Sequence, residues 1–262
     1  MKKKVLFIAA LFTAGLSFAQ DGLTSKKGVP ILPEAGDYAI GFDAGNLVNY
    51  AGNLFNGAAG NAAGNLNLMN TNTIFGKMFI DANKAYRGMV RIGFGSNKDV
   101  TIVNGIADPT TTFEDEVKNS AVNITLGAGI ETRRGKGRLQ GFYGPMAMIT
   151  LGSGKVENTY GEGLSATNTN GNVARTTEDK NGSTFGITIA AFGGVEYFFA
   201  PKMSVGAEVM WGLNFNSTGE GEKTTELWDG TAVVSDTQTI GKKSNFGIDV
   251  QPNTVLSLNF HF

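Results

Sequence analysis

Apolar and polar side chains alternate with a period of two residues along the last nineteen residues of the chain, 244–262. The even positions are mostly apolar, among them Phe246, Phe260 and Phe262, and the odd positions are mostly polar. Successive side chains of a strand point to opposite faces, so this segment predicts a long β-strand with one apolar face. Its length and the closing Phe favour a strand that faces lipid. Pro252 lacks an N–H donor and predicts a bulge or kink there, or a strand that begins only beyond it.

The same alternation recurs seven more times before that segment. The seven segments are 38–44, 74–80, 86–94, 122–131, 139–151, 187–199 and 205–215. Gly accounts for 37 of the 262 residues, and helices tolerate so much Gly poorly, at about 1 kcal/mol for each interior position. Beyond the first twenty residues, no apolar run reaches the roughly 18 residues of a membrane-spanning helix. The sequence therefore predicts an all-β chain with eight strands.

Long and short connections alternate strictly between the predicted strands. The long ones are 46–73, 96–119, 153–183 and 216–243, and the short ones are 82–85, 132–137 and 200–202. Outer-membrane barrels of bacteria have an even strand number, short periplasmic turns and long outer loops. An immunoglobulin-like sandwich is the alternative, but it gives no reason for every long loop to lie at one end. We therefore expect residues 37–262 to form an eight-stranded antiparallel transmembrane β-barrel with four long extracellular loops.

Residues 1–19 predict a cleaved signal peptide. Lysines at positions 2–4 precede an apolar stretch, and residues 17–19 form a small-x-small cleavage site. A transmembrane helix is the alternative, but the apolar stretch is shorter than the roughly 20 residues that a bilayer requires. Cleavage is expected to leave residues 20–36 as a periplasmic N-terminal segment. With export through this signal peptide, the expected location of the protein is the cell outer membrane. The chain has no Cys, which excludes a lipid anchor and disulfide bonds.

Charge and the C-terminus indicate the partners. The leader carries three of the 22 Lys and Arg residues, against 23 Asp and Glu, so the mature protein is mildly acidic. Nucleic-acid binding requires clustered basic residues, so no nucleic-acid partner is expected. Phe260 and Phe262, with the alternating apolar residues before them, resemble the signal read by the barrel assembly machinery. Outer-membrane lipid, lipopolysaccharide and that machinery are therefore the expected partners.

Charged residues fall at inward positions of the predicted strands. They are Arg87, Arg91, Glu131, Glu196 and Glu208, joined by Lys77 and Asp43. An eight-stranded barrel has an interior that side chains fill, and buried charges need partners, so we expect an Arg–Glu network in the lumen. Glu196 and Glu208 lie on neighbouring strands and are expected to share one arginine.

Two roles are open for this network, structural packing or a gated ion or proton path. Four bulky side chains also point inward: Phe75, Phe79, Phe142 and Phe192. Because they fill the rest of the interior, the structural role is favoured.

The sequence carries no catalytic constellation. Enzymatic outer-membrane barrels mostly use a histidine base near the outer surface, whereas His261, the one histidine, lies at the predicted periplasmic end. No HExxH zinc motif, P-loop or paired-carboxylate cleft occurs. We therefore expect a protein that is not an enzyme, with no catalytic, cofactor-binding or metal-binding residues and no cofactor.

Two connections favour contacts with other molecules. The apolar residues of the first long loop predict a plug, a short helix over the barrel mouth, or a contact surface for a protein partner. The candidate partner surface is Leu47, Tyr50, Leu54, Phe55, Leu66 and Leu68. One short turn is basic, with Arg133, Arg134, Lys136 and Arg138. In this topology it contacts anionic headgroups, peptidoglycan or a periplasmic partner, or only fixes orientation and solubility.

Several motifs carry a family resemblance. They are SFAQ at 17–20, PEAGDYAIG at 33–41, NYAGNLFN at 49–56, LQGFYG at 139–144 and the terminal Phe. Together they resemble small outer-membrane β-barrel proteins of the Bacteroidota, similar to OmpA and OmpX barrels but without a periplasmic domain. The resemblance implies the fold and the compartment, and it assigns no functional residues.

Two functions follow from these observations. The first is a non-enzymatic structural barrel or an accessory subunit of an outer-membrane complex, as the apolar first loop and the basic turn indicate. The alternative is a narrow, porin-like channel or transporter for small solutes or hydrophobic molecules, as the inward charges indicate.

Overall fold

The computed structural model describes residues 23–43, 73–106, 108–135, 137–249 and 255–262, which contain twelve β-strands. The strands are β1 (Tyr38–Asp43), β2 (Thr73–Asp81), β3 (Lys84–Asn104), β4 (Thr112–Arg134), β5 (Leu139–Thr159), β6 (Arg175–Lys180), β7 (Thr184–Ala200), β8 (Met203–Thr218), β9 (Gly221–Trp228), β10 (Val233–Ile240), β11 (Lys243–Asp249) and β12 (Val255–His261). A short 3-10 turn at Asn170–Asn172 is the one helical element in these ranges. Within the same ranges, no helix has the length and hydropathy to cross a bilayer. The described chain is therefore all-β.

Eight of the strands close into a ring. Neighbours pair antiparallel in the order β1, β2, β3, β4, β5, β7, β8 and β12. β12 then pairs with β1, and this seam aligns Ala39 with His261. The prediction of an all-β chain with eight antiparallel strands is confirmed for the ring, and the described chain contains four further strands.

Ring strands separate two kinds of side chain because of their two-residue period. In β2, Phe75, Lys77 and Phe79 are buried on the inner face. Ile74 and Met78, which alternate with them, are exposed on the outer face. The charged and bulky residues therefore lie inside the ring, and many of the aliphatic residues lie outside.

One stretch of the β4–β5 ladder has no regular pairing. The register aligns Gly129 with Met146 and resumes where Thr132 meets Tyr143. Between these pairs the two strands lie very close, since a Cβ added to Gly144 would be 1.8 Å from the carbonyl oxygen of Ile130. Glycine is therefore required at position 144.

Three of the four predicted long loops contain long stretches of β-strand, so their predicted extents are wrong. β3 and β4 form one long hairpin whose connection is only residues 105–111. The other two predicted loops, 153–183 and 216–243, contain β6, β9 and β10, which continue the sheet outward from β5 in that order. We call β6, β9 and β10 the extension. Many of its side chains are polar on both faces, so the apolar alternation that signals a strand is missing there.

The three short turns lie together at one end of the ring, which we call the turn end. They connect β2 to β3, β4 to β5, and β7 to β8, over residues 82–83, 135–138 and 201–202. The opposite end carries the β3–β4 hairpin and the extension, and we call it the mouth. Short connections at one end are thus as predicted.

Some predictions lie outside the described residues. These are the signal peptide at 1–19, the candidate partner surface in the first loop, and the kink at Pro252. β11 ends before that proline and β12 begins after it, and the two strands pair with different parts of β8.

Candidate functional site

A short N-terminal segment closes the turn end of the ring. Residues 23–36, which we call the cap, bury Ile31 and Leu32 against Phe198 of β7. The carbonyl oxygen of Ile31 accepts a hydrogen bond from the Lys202 amide at 3.2 Å. The amide of Gly36 donates to the carbonyl oxygen of Phe79 at 2.8 Å. The cap is therefore attached both to the interior and to the turns.

Above the cap lies a layer of buried charged side chains. This ionic cluster consists of Lys77 from β2, Arg87 from β3, Glu131 and Arg133 from β4, Glu196 from β7, and Glu208 from β8. The side chains of all six are between 0% and 6% exposed. Five strands contribute to it, so the cluster links most of the ring.

Four members of the cluster form a closed square. The ammonium of Lys77 lies 3.0 Å from the carboxylate of Glu131 and 3.4 Å from that of Glu196. The guanidinium of Arg133 lies 3.1 Å from Glu131 and 2.7 Å from Glu196. Each cation therefore contacts both carboxylates, which offsets part of the desolvation cost of burying them.

The other two members form a pair on the mouth side of the square. Arg87 makes a bidentate contact with Glu208, one of whose hydrogen bonds measures 3.1 Å. Its guanidinium lies over the rings of Phe75 and Phe192, 4.5 and 4.6 Å from their centroids. Arg87 also comes within 3.8 Å of Glu131, so the pair and the square touch.

Neutral donors complete the surroundings of Glu196. The hydroxyl of Ser204 donates to its carboxylate, and the side-chain amide of Asn259 donates at 3.1 Å. The Nε2 atom of His261 lies 3.2 Å from the same oxygen. The imidazole itself packs between Phe79 and Phe198, with centroid distances of 5.6 and 5.1 Å. His261 thus lies in the buried layer, at the turn end as its position in the last strand predicted.

The interior is filled at the level of the cluster. Three cations balance three carboxylates, and Phe75, Met89, Phe142, Met146 and Phe192 pack together beside them. The space left among Phe75, Arg87 and their neighbours is about 10 Å³, close to the room of a single water molecule. Chemically this arrangement can hold the ring together, and the space recorded among the described residues at this level is too small for a solute.

The structure brings together four of the five residues predicted for the lumen network: Arg87, Glu131, Glu196 and Glu208. The prediction that Glu196 and Glu208 share one arginine is wrong, because Glu196 binds Arg133 whereas Glu208 binds Arg87. Arg91 lies farther along β3 towards the mouth and is exposed. For Asp43 the side chain is outside the described part of the structure.

Arg133 was assigned by sequence to a basic periplasmic turn, and that assignment is wrong. It is 1% exposed and belongs to the square. The alternation of side chains along a strand could have placed it correctly, because Arg133 follows the inward-facing Glu131 by two residues on the same strand. Arg138 of the same turn donates to the carbonyl oxygens of Phe198 and Phe199 at 3.3 and 3.0 Å. Lys136 lies outside the described residues.

A wide cavity opens at the mouth of the ring. Its volume is about 710 Å³, and polar and basic side chains line it. Among them are Arg91, Asn97, Asn119 and Asn123. The cavity thus stands on the mouth side of the filled layers.

The outer face of the ring carries a continuous apolar belt. Every ring strand contributes to it, with Ile40, Met78, Val90, Leu126, Ile149, Ile189, Val205 and Phe260 as one example from each. The exposed fractions of these eight residues range from 37% to 63%. Aromatic rings lie near both edges of the belt, such as Tyr38 and Tyr86 towards the turn end and Trp211 and Phe215 towards the mouth.

The last residues of the chain form the seam of the ring. The backbone of Phe262 exchanges two hydrogen bonds with Tyr38, at 2.8 and 2.9 Å, and the two rings stack 6.5 Å apart. Phe260 and Phe262 both face outward.

Comparison with known proteins adds no assignment. No protein-family model matches the chain, and no curated protein is significantly similar to it in sequence. In the part of the chain that the structure describes, no group of three or more His, Cys, Asp or Glu residues is arranged to hold a metal ion.

Proposed function

We propose that the protein is a non-enzymatic β-barrel of the bacterial outer membrane, exported through a cleaved signal peptide. We further propose that it is a structural barrel or an accessory subunit of an outer-membrane complex. The observation that carries the proposal is the inversion of polarity across the ring. Charges such as Arg87 and Glu131 are buried inside, and apolar side chains cover the outside.

An apolar outer face with charges inside favours a lipid environment over water. A water-soluble monomer rarely exposes apolar patches larger than a few hundred Å², whereas the belt runs around eight strands. Within a bilayer every backbone polar group must be paired, and a closed ring favours such pairing because it has no free edge. The aromatic residues near both edges of the belt match the girdles of transmembrane barrels.

The filled interior supports a structural role over transport. A conducting barrel needs a continuous path, and the ionic cluster leaves about 10 Å³ beside Arg87 and Glu208. The alternative, a narrow channel for small solutes or hydrophobic molecules, draws its support from the wide cavity at the mouth.

Membrane insertion is tested by placing a charge on the outer face. Leu126 lies in the middle of the belt and is 51% exposed, while Ile102 lies on the β3–β4 hairpin beyond it and is 69% exposed. An Arg at the bilayer midplane of a barrel costs about 2–4 kcal/mol, and near or beyond the interface about 0–1 kcal/mol. Leu126→Arg is therefore expected to lower the free energy of unfolding from lipid vesicles, with Ile102→Arg as the matched control. Equal losses for the two variants contradict insertion at the belt.

Planar-bilayer recording separates the two roles. The purified wild-type protein is expected to give no stable conductance steps. Steps that change in size on Arg91→Ala would instead favour the channel.

A pull-down from native outer membranes tests the accessory role. A tagged copy is solubilised in mild detergent, and co-purifying proteins are identified by mass spectrometry. The expected result is a stoichiometric partner that is lost when residues 47–69 are shortened while the barrel still folds. A barrel that purifies alone removes the accessory role and leaves the structural one.

A further inference from the structure

The β3–β4–β5 wall changes character in successive rows just above the belt. The last fully apolar row consists of Ile92, Ile124, Leu151 and Phe185, aligned in register. The next row contains Phe94 and Val122, followed by Ser153 on β5. One step farther towards the mouth, the row is Ser96, Ser120, Lys155 and Lys180. Two hydroxyls and two ammonium groups thus stand directly above an apolar surface.

A groove occupies this boundary. Its volume is about 470 Å³, within the range of small-molecule sites. Small residues form its floor, namely Gly95, Ala121 and Gly154, and the outward side chains of Phe94 and Val122 form its apolar wall. The hydroxyl oxygens of Ser96 and Ser120 lie 3.4 Å apart beside it. The groove therefore offers an apolar side towards the belt and a polar side towards the mouth.

The two lysines on the polar side are held in place by carboxylates farther from the belt. Lys155 lies 2.8 Å from Glu157 and 2.7 Å from Glu178, and Lys180 lies 3.2 Å from Glu178. The hydrogen bond to Glu178 raises the pKa of Lys180, and the carboxylate of Glu222 lies 3.5 Å from the same ammonium. An ammonium has three N–H donors, and the two carboxylates occupy two of those of Lys155.

We propose that this groove binds a phosphorylated lipid of the outer leaflet, with its phosphate on Lys155, Lys180 and Ser120 and an acyl chain along Phe94 and Val122. The proposal rests on the membrane insertion proposed above. A lipid phosphate fits the site because lysine binds phosphate as a point charge. Lysines placed at a membrane surface favour anionic headgroups in the same way. The adjoining apolar wall selects a lipid over free phosphate.

Native mass spectrometry of the full-length protein in non-ionic detergent tests the site. The probes are diphosphorylated lipid A, its dephosphorylated form and inorganic phosphate. The wild-type protein is expected to bind the diphosphorylated lipid, to bind the dephosphorylated form about tenfold more weakly, and to retain no inorganic phosphate. Equal binding of the two lipids overturns the proposal, and so does retention of inorganic phosphate alone.

Charge variants assign the binding to the groove. The double substitution Lys155→Gln and Lys180→Gln is expected to weaken binding of the diphosphorylated lipid about tenfold. Replacing both lysines with Arg is expected to keep it. Lys223→Gln and Lys242→Gln, on the extension and beyond it, serve as the matched control and should leave binding unchanged. A double Gln variant that binds like wild type overturns the proposal.

Insertion of the protein into the outer membrane is measured separately, by fractionation of outer membranes and by the gel shift of the folded barrel on heating. Wild-type protein absent from the outer membrane contradicts the proposed function itself. Inserted protein that does not discriminate between the lipids contradicts only the site.

Discussion

The Arg87–Glu208 pair allows the energetics of the interior to be measured directly. Both side chains are nearly buried, at 3% and 6% exposed, and Arg87 is the basic partner of Glu208 among the described residues. Replacing Arg87 with Met keeps an unbranched side chain but leaves a carboxylate buried without its cation. Breaking a buried pair in this way costs about 3–5 kcal/mol, whereas replacing both partners with apolar residues is often neutral.

We therefore expect Arg87→Met to lower the free energy of unfolding by about 3–5 kcal/mol, and the double variant with Glu208→Leu to recover most of that loss. Glu131, 3.8 Å from Arg87, keeps Lys77 and Arg133 in all variants, so the square retains its own ion pairs. The implied coupling energy is at least about 2–4 kcal/mol, because the loss for Glu208→Leu alone adds to it.

Denaturant titration of the protein folded in lipid vesicles provides the measurement, with tryptophan fluorescence as the signal. The chain has two Trp residues, and Trp211 lies on the outer face of the ring. Lys242→Met is the control, because that lysine is 74% exposed and its ion pair with Glu220 is a surface one, for which no measurable change is expected. A double variant whose loss equals the sum of the two single losses would refute the reasoning.

Two further changes test packing with the same titration. Gly144→Ala is expected to lower the free energy of unfolding by about 1–3 kcal/mol, because the new Cβ would lie 1.8 Å from the carbonyl oxygen of Ile130. Gly76→Ala is the control, since the space around the added methyl is open. A Gly144→Ala variant with unchanged stability would contradict the close approach of the two strands. Ile31→Ala is expected to lower the free energy of unfolding by about 2–5 kcal/mol, because Ile31 is 1% exposed in the cap. Val29→Ala is the control, since Val29 is 45% exposed. Similar losses for the two variants would mean that the cap does not stabilise the ring.

The ring strands could be predicted from sequence because each has one apolar face. Alternation places Phe75 and Lys77 inside and Ile74 outside without any knowledge of the partner strands. The same method missed the upper parts of β3 and β4 and all of the extension. In the extension many side chains are polar on both faces, so residues such as Thr224 and Thr237 alternate with nothing apolar.

Five of the six members of the ionic cluster could be predicted, but Arg133 and the pairing of the charges could not. The alternation of side chains along a strand determines the face on which Glu131 or Glu196 lies. The ion-pair partner of each depends on the register between strands and on side-chain length. Arg133 illustrates the limit, since its neighbours in sequence suggested an exposed turn and its side chain reaches Glu196 across the interior. Lysine and arginine at inward positions near a turn are therefore candidates for the interior as well as for the surface.

The seam has a consequence for the order of folding. β1 and β12 are the first and last strands of the described chain, so their pairing closes the longest loop between any two described strands, and such non-local contacts form slowly. Asn259 and His261, which complete the surroundings of Glu196, lie on β12 and arrive only with that pairing. We therefore expect hairpins such as β3–β4 to form before the seam, and the interior charges to lose their water only in the slow final step.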